Sequence, residues 1–209
     1  MEEKESQARA LLDKTNRQFN ECNALYHAAA QRCGLSDAAF WTLYALVTTC
    51  EPLTQNRIAA DWGIPKQTLN SAVAAMVKKG LLALCPGKGA HSGKIVILTA
   101  EGRALAERTV APVIAAEEKA IRAFGLASAE EMYCLAQRHL ECLRREFEKI
   151  ARSGPGMPGP QHNGNREVKA RCRAGHVRPL RACLPQKQEQ LCQNQTRSSC
   201  PTTSPRGGC

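Results

Sequence analysis

A stretch of the chain at residues 63–80, G-I-P-K-Q-T-L-N-S-A-V-A-A-M-V-K-K-G, combines hydrogen-bonding side chains with apolar residues at helical spacing. Placed on a helix, its apolar residues Leu69, Val73, Met76 and Val77 fall on one side. The other side carries short polar side chains and lysines, which can hydrogen-bond base edges and attract phosphates. We therefore predict a helix that reads DNA through Pro65, Lys66, Gln67, Thr68, Asn70, Ser71 and Lys78.

The residues just before this stretch predict the first half of a helix-turn-helix. A short helix should begin after the N-cap Thr54, which we include among the DNA contacts, and should end at Gly63. In a helix-turn-helix the second helix enters the major groove, and Pro65 suits its first turn because the missing N–H needs no partner there. Plain packing of the two helices within an all-α protein is the alternative.

A predicted β-hairpin follows the reading helix. Residues 81–85 and 94–98 read as strands, and the glycine-rich turn between them places Lys88, His91 and Lys94 at or near its tip. A helix-turn-helix followed by such a two-stranded ribbon is a winged helix, in which the ribbon contacts phosphate or a minor groove. The pattern therefore favours DNA binding over plain packing.

Helical periodicity dominates the rest of residues 1–151, so the predicted fold class is mainly α with a small β-hairpin wing, a winged helix-turn-helix lobe plus a helical dimerisation domain. A first helix spans about residues 6–33, and Ser36 caps a second. Thr99 caps a fifth helix that should be kinked at Pro112, and residues 128–131 resemble a capping box for a sixth. The long helices carry more apolar surface than a small lobe covers, which favours a homodimer over a monomeric bundle.

Two motifs in this order, K-G-L-L at residues 79–82 and L-T-x-x-G at residues 98–102, resemble the MarR family of bacterial transcription regulators. The resemblance covers roughly residues 8–150. It implies a cytoplasmic homodimer with interleaved terminal helices, bound to a pseudopalindromic operator in double-stranded DNA. Family members commonly repress transcription and release DNA when a small anionic or phenolic effector, or an oxidant, alters the dimer.

The chain departs from the family where members use arginine. Ala90 and Ser92 stand at wing positions where members often carry Asp and Arg, and Ser71 stands where a recognition-helix arginine is common. Lys88, His91 or Lys94 would then contact phosphate in place of the wing arginine, with weaker grip on a narrow groove. These departures leave open a second function, a winged-helix module that docks a protein and does not bind an operator.

The excess positive charge lies mainly in the last quarter of the chain. Residues 1–150 contain 19 Lys and Arg against 17 Asp and Glu, whereas residues 151–209 contain 10 against 2. Residues 152–209 also lack Phe, Trp and Tyr, so we predict a disordered basic tail that adds sequence-independent attraction to phosphate. Cysteines and a histidine of the tail are spaced too widely for a structural zinc site, which usually needs two close pairs: Cys172, His176, Cys183, Cys192, Cys200 and Cys209.

Cys22 and Tyr26 lie one helical turn apart, as do the peroxidatic cysteine and a tyrosine in the hydroperoxide sensors of the same family. The resemblance makes a thiol-based redox sensor a further alternative, while burial as an inert small side chain is the simpler interpretation.

Composition and motifs argue against several other classes of protein. The acidic N-terminus lacks the order of a secretory signal, and no apolar run approaches the ~20 residues of a membrane span. The eleven cysteines are odd in number and include no C-x-x-C pair. No nucleophile elbow or phosphate-binding glycine loop occurs, so we expect a cytoplasmic protein that is no enzyme and needs no cofactor or metal.

Overall fold

The structure, a computed structural model, describes residues 2–87 and 93–153. The predicted wing tip at residues 88–92 and residues 154–209 of the predicted tail lie outside the described residues. Within the described ranges no helix is long and apolar enough to cross a membrane. The elements in chain order are α1 (Glu2–Arg32), α2 (Asp37–Thr48), β1 (Leu53–Thr54), α3 (Gln55–Asp61), α4 (Lys66–Lys78), β2 (Leu82–Cys85), β3 (Ile95–Leu98), α5 (Ala100–Thr109), α6 (Ala111–Phe124) and α7 (Leu126–Ser153).

The chain divides into two units, and the described part of the first is residues 2–87 and 93–110. Its core surrounds α2, which contacts α1, α4, α5 and β3. Burying these aliphatic and aromatic side chains supplies most of the stabilisation of the unit, at roughly 25 cal/mol per Å² of apolar surface. Large side chains of the core with essentially no exposed surface are Phe40, Leu43, Ile58, Leu69, Val73, Val96 and Val110.

Three predicted N-caps are confirmed, and each fixes where a helix begins. The side chains of Ser36, Thr54 and Thr99 accept hydrogen bonds from the backbone N–H groups of Ala39, Arg57 and Gly102, respectively. Each cap satisfies an N–H that has no partner inside its helix, an interaction that contributes about 1 kcal/mol. These caps set the starts of α2, α3 and α5.

The sheet has one more strand than the sequence predicts. The predicted two-stranded wing is confirmed, because β2 and β3 pair antiparallel with Leu82 opposite Leu98. β1, which the sequence does not predict, pairs with β3 on its other side, Leu53 opposite Val96, in the order β1-β3-β2. A two-residue strand shows no alternating pattern, so only the pairing with β3 reveals it.

The two family-like motifs meet at one backbone junction. Gly80 ends α4 with φ +72°, a left-handed conformation suited to glycine, and the chain turns so that Leu81 N donates to Met76 O at 2.9 Å. Thr99 N then donates to Leu81 O at 3.1 Å, and the Thr99 hydroxyl donates to Gly80 O at 2.7 Å. These bonds hold the start of α5 against the end of α4.

Gly102 completes this junction because it has no side chain. A Cβ at this position would overlap the carbonyl oxygen of Leu81 and would lie 3.0 Å from the carbonyl carbon. Both atoms belong to the backbone, which cannot move aside as a flexible side chain can. The glycine of L-T-x-x-G is therefore required by the close approach of α5 to Leu81.

The second unit contains α6 and α7, and it corrects two predictions. The expected kinked fifth helix is two helices, because α5 ends at Thr109 and α6 begins at Ala111. Pro112 cannot donate a hydrogen bond to the carbonyl four residues earlier, and its ring clashes there, so it sits in the first turn of a new helix. The predicted capping box is also wrong: α7 begins at Leu126 after Gly125, and Ser128 is inside its first turn.

We predict that Gly102→Ala lowers the free energy of unfolding by about 3 kcal/mol, because the new methyl group overlaps backbone atoms. The control is Gly34→Ala, whose Cβ meets nothing within 4 Å and whose cost comes from the left-handed φ of +66° alone, about 1 kcal/mol. Urea denaturation at equal protein concentration measures both. Equal losses for the two variants would contradict a steric role for Gly102.

Candidate nucleic-acid interface

The polar face of α4 is exposed and its apolar face is buried, as the sequence predicts. Leu69, Val73 and Met76 pack into the core, and Val77 is half-buried. Pro65, with φ −55°, is the N-cap residue of α4, and Lys66 begins the helix. The exposed residues on and beside α4 are Pro65, Lys66, Gln67, Thr68, Asn70, Ser71, Ala74, Ala75, Lys78 and Lys79.

A tight turn connects α3 to this helix. Gly63 has φ +61°, and Ile64 N donates to Ala59 O at 3.0 Å, which closes the end of α3. Ile58 and Ala59 bury the inner face of α3, and α3 contacts α4 directly. The predicted helix-turn-helix is therefore present, with the polar face of its second helix directed away from the core.

Two hydroxyl groups among the candidate contacts have partners within the protein. The Ser71 hydroxyl donates to the carbonyl oxygen of Gln67 at 3.0 Å, so its lone pairs are left to accept a hydrogen bond. The Thr54 oxygen accepts from the N–H of Arg57 at 3.2 Å as the cap of α3, and its O–H group keeps its capacity to donate. DNA contacts by these residues stay a prediction.

Positive charge is concentrated in the segment that forms the helix-turn-helix and wing. Residues 51–99 contain six Lys and Arg against two Asp and Glu, whereas residues 1–150 together are nearly neutral. One of the two acids, Asp61, forms an ion pair with Arg57 one turn away on α3. Lys79, which is not among the predicted contacts, is exposed and continues the basic end of α4. The sequence signal for this lysine is the pair Lys78-Lys79 directly before Gly80.

The base of the wing is well defined by the sheet. Val96 and Leu98 point into the core, and Lys94 lies exposed just before β3 begins. Lys88, His91 and the departures at Ala90 and Ser92 lie outside the described residues, so their roles remain predictions. The wing thus presents Lys94 from a fixed strand end.

Five aromatic side chains form a continuous cluster across α1, α2 and α3. Trp41 is central: its ring centroid is 4.8 Å from that of Tyr26 and 5.3 Å from that of Phe40. It stacks on Trp62 at 4.9 Å with an interplanar angle of 25°. Tyr44 touches both tryptophans, at 5.4 and 5.2 Å. Phe40 is buried and the other four rings are half-buried, so the cluster joins α1 to Trp62, the C-cap residue of α3, and reaches the surface.

A pair of polar contacts ties α1 to the start of α2 beside this cluster. The Nδ1 atom of His27 lies 2.9 Å from both carboxylate oxygens of Asp37. On the other side of the ring, the side-chain nitrogen of Gln31 lies 2.8 Å from the Nε2 atom of His27. Both His27 and Asp37 are about half exposed, so the pair contributes modestly to stability. It fixes the orientation of α1 on the lobe.

The candidate redox pair sits on the same helix. Cys22 is an exposed free thiol, and Tyr26, one turn further along α1, packs its ring on Trp41. Redox sensing through Cys22 and Tyr26 stays a prediction. The cysteines considered as zinc ligands lie outside the described residues.

A helix-turn-helix whose second helix is followed by an antiparallel wing defines the described fold as a winged helix. Residues 34–91, which include K-G-L-L and end before L-T-x-x-G, match the model of the MarR family, so the resemblance to this family is confirmed. The described fold is that of MarR-family transcription regulators. No curated protein sequence matches the chain at a significant level.

Solved structures extend the similarity beyond the matched segment. NMB1585, a MarR family regulator from Neisseria meningitidis, is 23% identical with a TM-score of 0.59, over 67% of this chain and 98% of that one. SPO1453, a MarR family regulator from Silicibacter pomeroyi DSS-3, is 25% identical with a TM-score of 0.50, over 64% and 94%. CouR from Rhodococcus jostii RHA1, solved bound to p-coumaroyl-CoA, is 20% identical with a TM-score of 0.50, over 61% and 92%.

Proposed function

We propose that the chain is a homodimeric, sequence-specific DNA-binding transcription regulator that represses transcription until a small ligand releases it from a pseudopalindromic operator. The exposed polar face of α4, held on a winged-helix lobe, is the observation that carries the proposal. A surface helix that only faces water can be covered by charged residues. The exposed face of α4 instead carries six polar or small side chains, which allow it to approach base edges closely in a major groove: Gln67, Thr68, Asn70, Ser71, Ala74 and Ala75.

DNA binding is supported by how charge and reading groups are divided on the lobe. Gln67 and Ser71 lie on consecutive turns of the exposed face and can reach base edges, while Lys66, Lys78 and Lys94 supply charge around them. Contacts to phosphate fix orientation and contacts to bases give specificity. The lobe has both kinds of group, so binding should weaken as the salt concentration rises and should keep a sequence-specific part.

Dimer formation is supported by the second unit. None of its described residues, 111–153, is buried. On α7 the half-buried Cys134, Gln137, Glu141 and Glu148 share one side, whereas the large apolar side chains lie on the opposite side. That stripe contains Met132, Leu135, Leu143, Phe147 and Ile150, of which all but Leu143 are 50 to 61% exposed.

The first unit leaves a similar surface on α1, where residues 3–25 are all exposed. Leu11, Phe19 and Leu25 are 63, 66 and 70% exposed. Each such side chain would gain roughly 1.5 to 3 kcal/mol from burial, so isolated protomers would be poorly stable. A second copy of the chain presents the same helices and is the occupant that our proposal assigns to them.

Release by a small ligand is supported by the half-buried aromatic cluster around Trp41. Tyr26, Tyr44 and Trp62 present ring surface at a point where α1 meets the helix-turn-helix. A planar ligand that stacks there would bind only if the rings separate, and that movement would displace α3 relative to α1. CouR, bound to p-coumaroyl-CoA, is a precedent for an aromatic acyl ligand in this fold.

We predict that Gln67→Ala combined with Ser71→Ala weakens binding to the selected operator about a hundredfold and leaves binding to random DNA unchanged, because only base contacts are lost. Fluorescence anisotropy against salt concentration measures both affinities. The matched control makes the same exchanges on α7, Gln137→Ala with Ser128→Ala, and should bind as the unaltered protein does. Unchanged operator affinity in the α4 variant would show that its reading face is wrongly assigned.

The same assay separates DNA binding from the protein-docking alternative. A chain that ends at Ser153 keeps Arg152 and loses the other Lys and Arg of the tail. The salt dependence of its DNA affinity should therefore be smaller, while its preference for the operator over random DNA should persist. Loss of all selective binding on removal of the tail would favour a protein-interaction module.

We predict that Leu135→Gln with Phe147→Gln raises the dimer dissociation constant more than about a hundredfold, since each protomer then loses two apolar contacts. Sedimentation equilibrium of the full chain measures the change. The control, Arg138→Gln with Arg145→Gln, introduces the same residues at exposed positions of α7 outside the apolar stripe and should leave the dimer intact. A protein that is monomeric before substitution would contradict the homodimer.

We predict that an aromatic effector quenches the intrinsic tryptophan emission over the same concentrations that release DNA. Trp41 and Trp62 are the two tryptophans of the chain, and they stack on each other, so the emission reports on this cluster alone. Salicylate and p-coumarate are suitable probes, and cyclohexanecarboxylate is a control anion without an aromatic ring. DNA release with no change in emission would place the effector elsewhere.

A further inference from the structure

The operator contacts proposed above have an unusual chemical restriction, because residues 58–102 contain no arginine. This segment spans most of α3, all of α4, the wing and the start of α5. Arginine paired with the O6 and N7 acceptors of guanine is the commonest specific contact in the major groove. The two flanking arginines have other partners: Arg57 pairs with Asp61, and Arg103 donates to Leu98 O at 3.2 Å.

Ser71 adds a restriction of its own. Its hydroxyl proton is used in the 3.0 Å bond to Gln67 O, so towards DNA the side chain can only accept. In the major groove the donors are the amino groups of adenine N6 and cytosine N4, whereas guanine presents acceptors alone. While this bond is kept, Ser71 accepts from an amino group and does not donate to guanine.

The neighbouring positions favour adenine and thymine. Gln67, exposed one turn before Ser71, has the amide geometry that pairs with adenine N6 and N7. Ala74, exposed one turn after Ser71, presents a methyl group of the kind that contacts the C5-methyl of thymine. Gln67, Ser71 and Ala74 fall on one stripe of α4, here called the reading stripe, because successive residues are about 100° apart.

The lysines of α4 do not replace the absent arginine. Lys66 is the first residue of the helix and projects about 100° from the reading stripe, and Lys78 is the last residue. Base contacts in a helix-turn-helix come mainly from the N-terminal part of the second helix. A lysine ammonium also lacks the planar fork that makes arginine selective for guanine, so both lysines suit phosphate.

We infer that the reading stripe reads the half-site through adenine amino and N7 groups and thymine methyl groups, with no direct contact from this stripe to the major-groove edge of guanine. This inference rests on the proposed function and names the class of DNA sequence that its reading face accepts. The preference belongs to the major groove, through the reading stripe, and does not require an arginine in a narrow minor groove.

The test selects operator duplexes from random sequence with the full chain and then alters single atoms of the selected site. We expect A·T pairs at the positions under α4. Replacing thymine by uracil removes the C5-methyl and should weaken binding about fourfold at each contacted base, the effect of one buried methyl group. Replacing guanine by 7-deazaguanine removes N7 and should leave affinity unchanged.

A matched pair of variants assigns the methyl contact to one residue. Ala74→Gly should abolish the fourfold preference for thymine over uracil at one position of each half-site. Ala75→Gly imposes the same loss of helix propensity at the adjacent exposed position, off the reading stripe, and should preserve the preference. Because each variant is compared with itself on two DNAs, a general loss of stability does not affect the ratio.

Two results would overturn the inference in different ways. Selective binding that falls about tenfold or more with 7-deazaguanine would show that guanine is read directly, and the proposed function would stand. If the Ala74→Gly variant kept the preference for thymine over uracil, the methyl contact would not come from the reading stripe. Failure to enrich any sequence would overturn the proposed function itself.

Discussion

The arrangement of the lobe depends on one close approach of two backbone segments. Leu81 O accepts a hydrogen bond from Thr99 N, and Gly102 lies against the same carbonyl group. This contact sets the distance between the end of α4 and the start of α5. Since β2 begins at Leu82 and β3 ends at Leu98, the same junction closes the wing at its base. The ends of the reading helix and of the wing are therefore joined at one point.

The sequence predicted the elements that have a strong local signal and missed those made by long-range pairing. Ser36, Thr54 and Thr99 mark helix starts because a side chain satisfies a backbone donor three residues away, which is a purely local interaction. β1 has two residues and exists because β3 lies beside it. Residues 128–131 match a capping pattern, but Gly125, with φ +97°, had already turned the chain and allowed α7 to begin earlier.

At the candidate site, the sequence predicted which side chains are buried and which are exposed, but it did not predict their hydrogen bonds. Periodicity separated Leu69, Val73 and Met76 from Gln67 and Ser71 because burial follows the helical repeat. Periodicity gives no information on hydroxyl orientation. The bond from Ser71 to Gln67 O, which decides what Ser71 can read, is visible only in the structure. The aromatic cluster was also missed, since its rings come from α1, α2 and the C-cap of α3, and no local pattern shows that they meet.

A reading helix with few cations makes the proposed dimer important for DNA recognition as well as for stability. One lobe offers Lys66, Lys78 and Lys94 and neutral base contacts, so a single half-site would be held weakly. Joining two lobes makes the second contact intramolecular, which raises the apparent affinity without any additional contact. The unburied apolar stripe of α7, where Phe147 is 61% exposed, would then supply through dimerisation the affinity that arginines supply elsewhere. Weak individual lobes would also allow control, because a ligand that altered the spacing of the two proposed lobes would remove the gain from joining them. Under the proposed function, the arginine-poor reading face and the exposed helices of the second unit would be two parts of one arrangement, in which affinity would come from pairing and specificity from amide and methyl contacts.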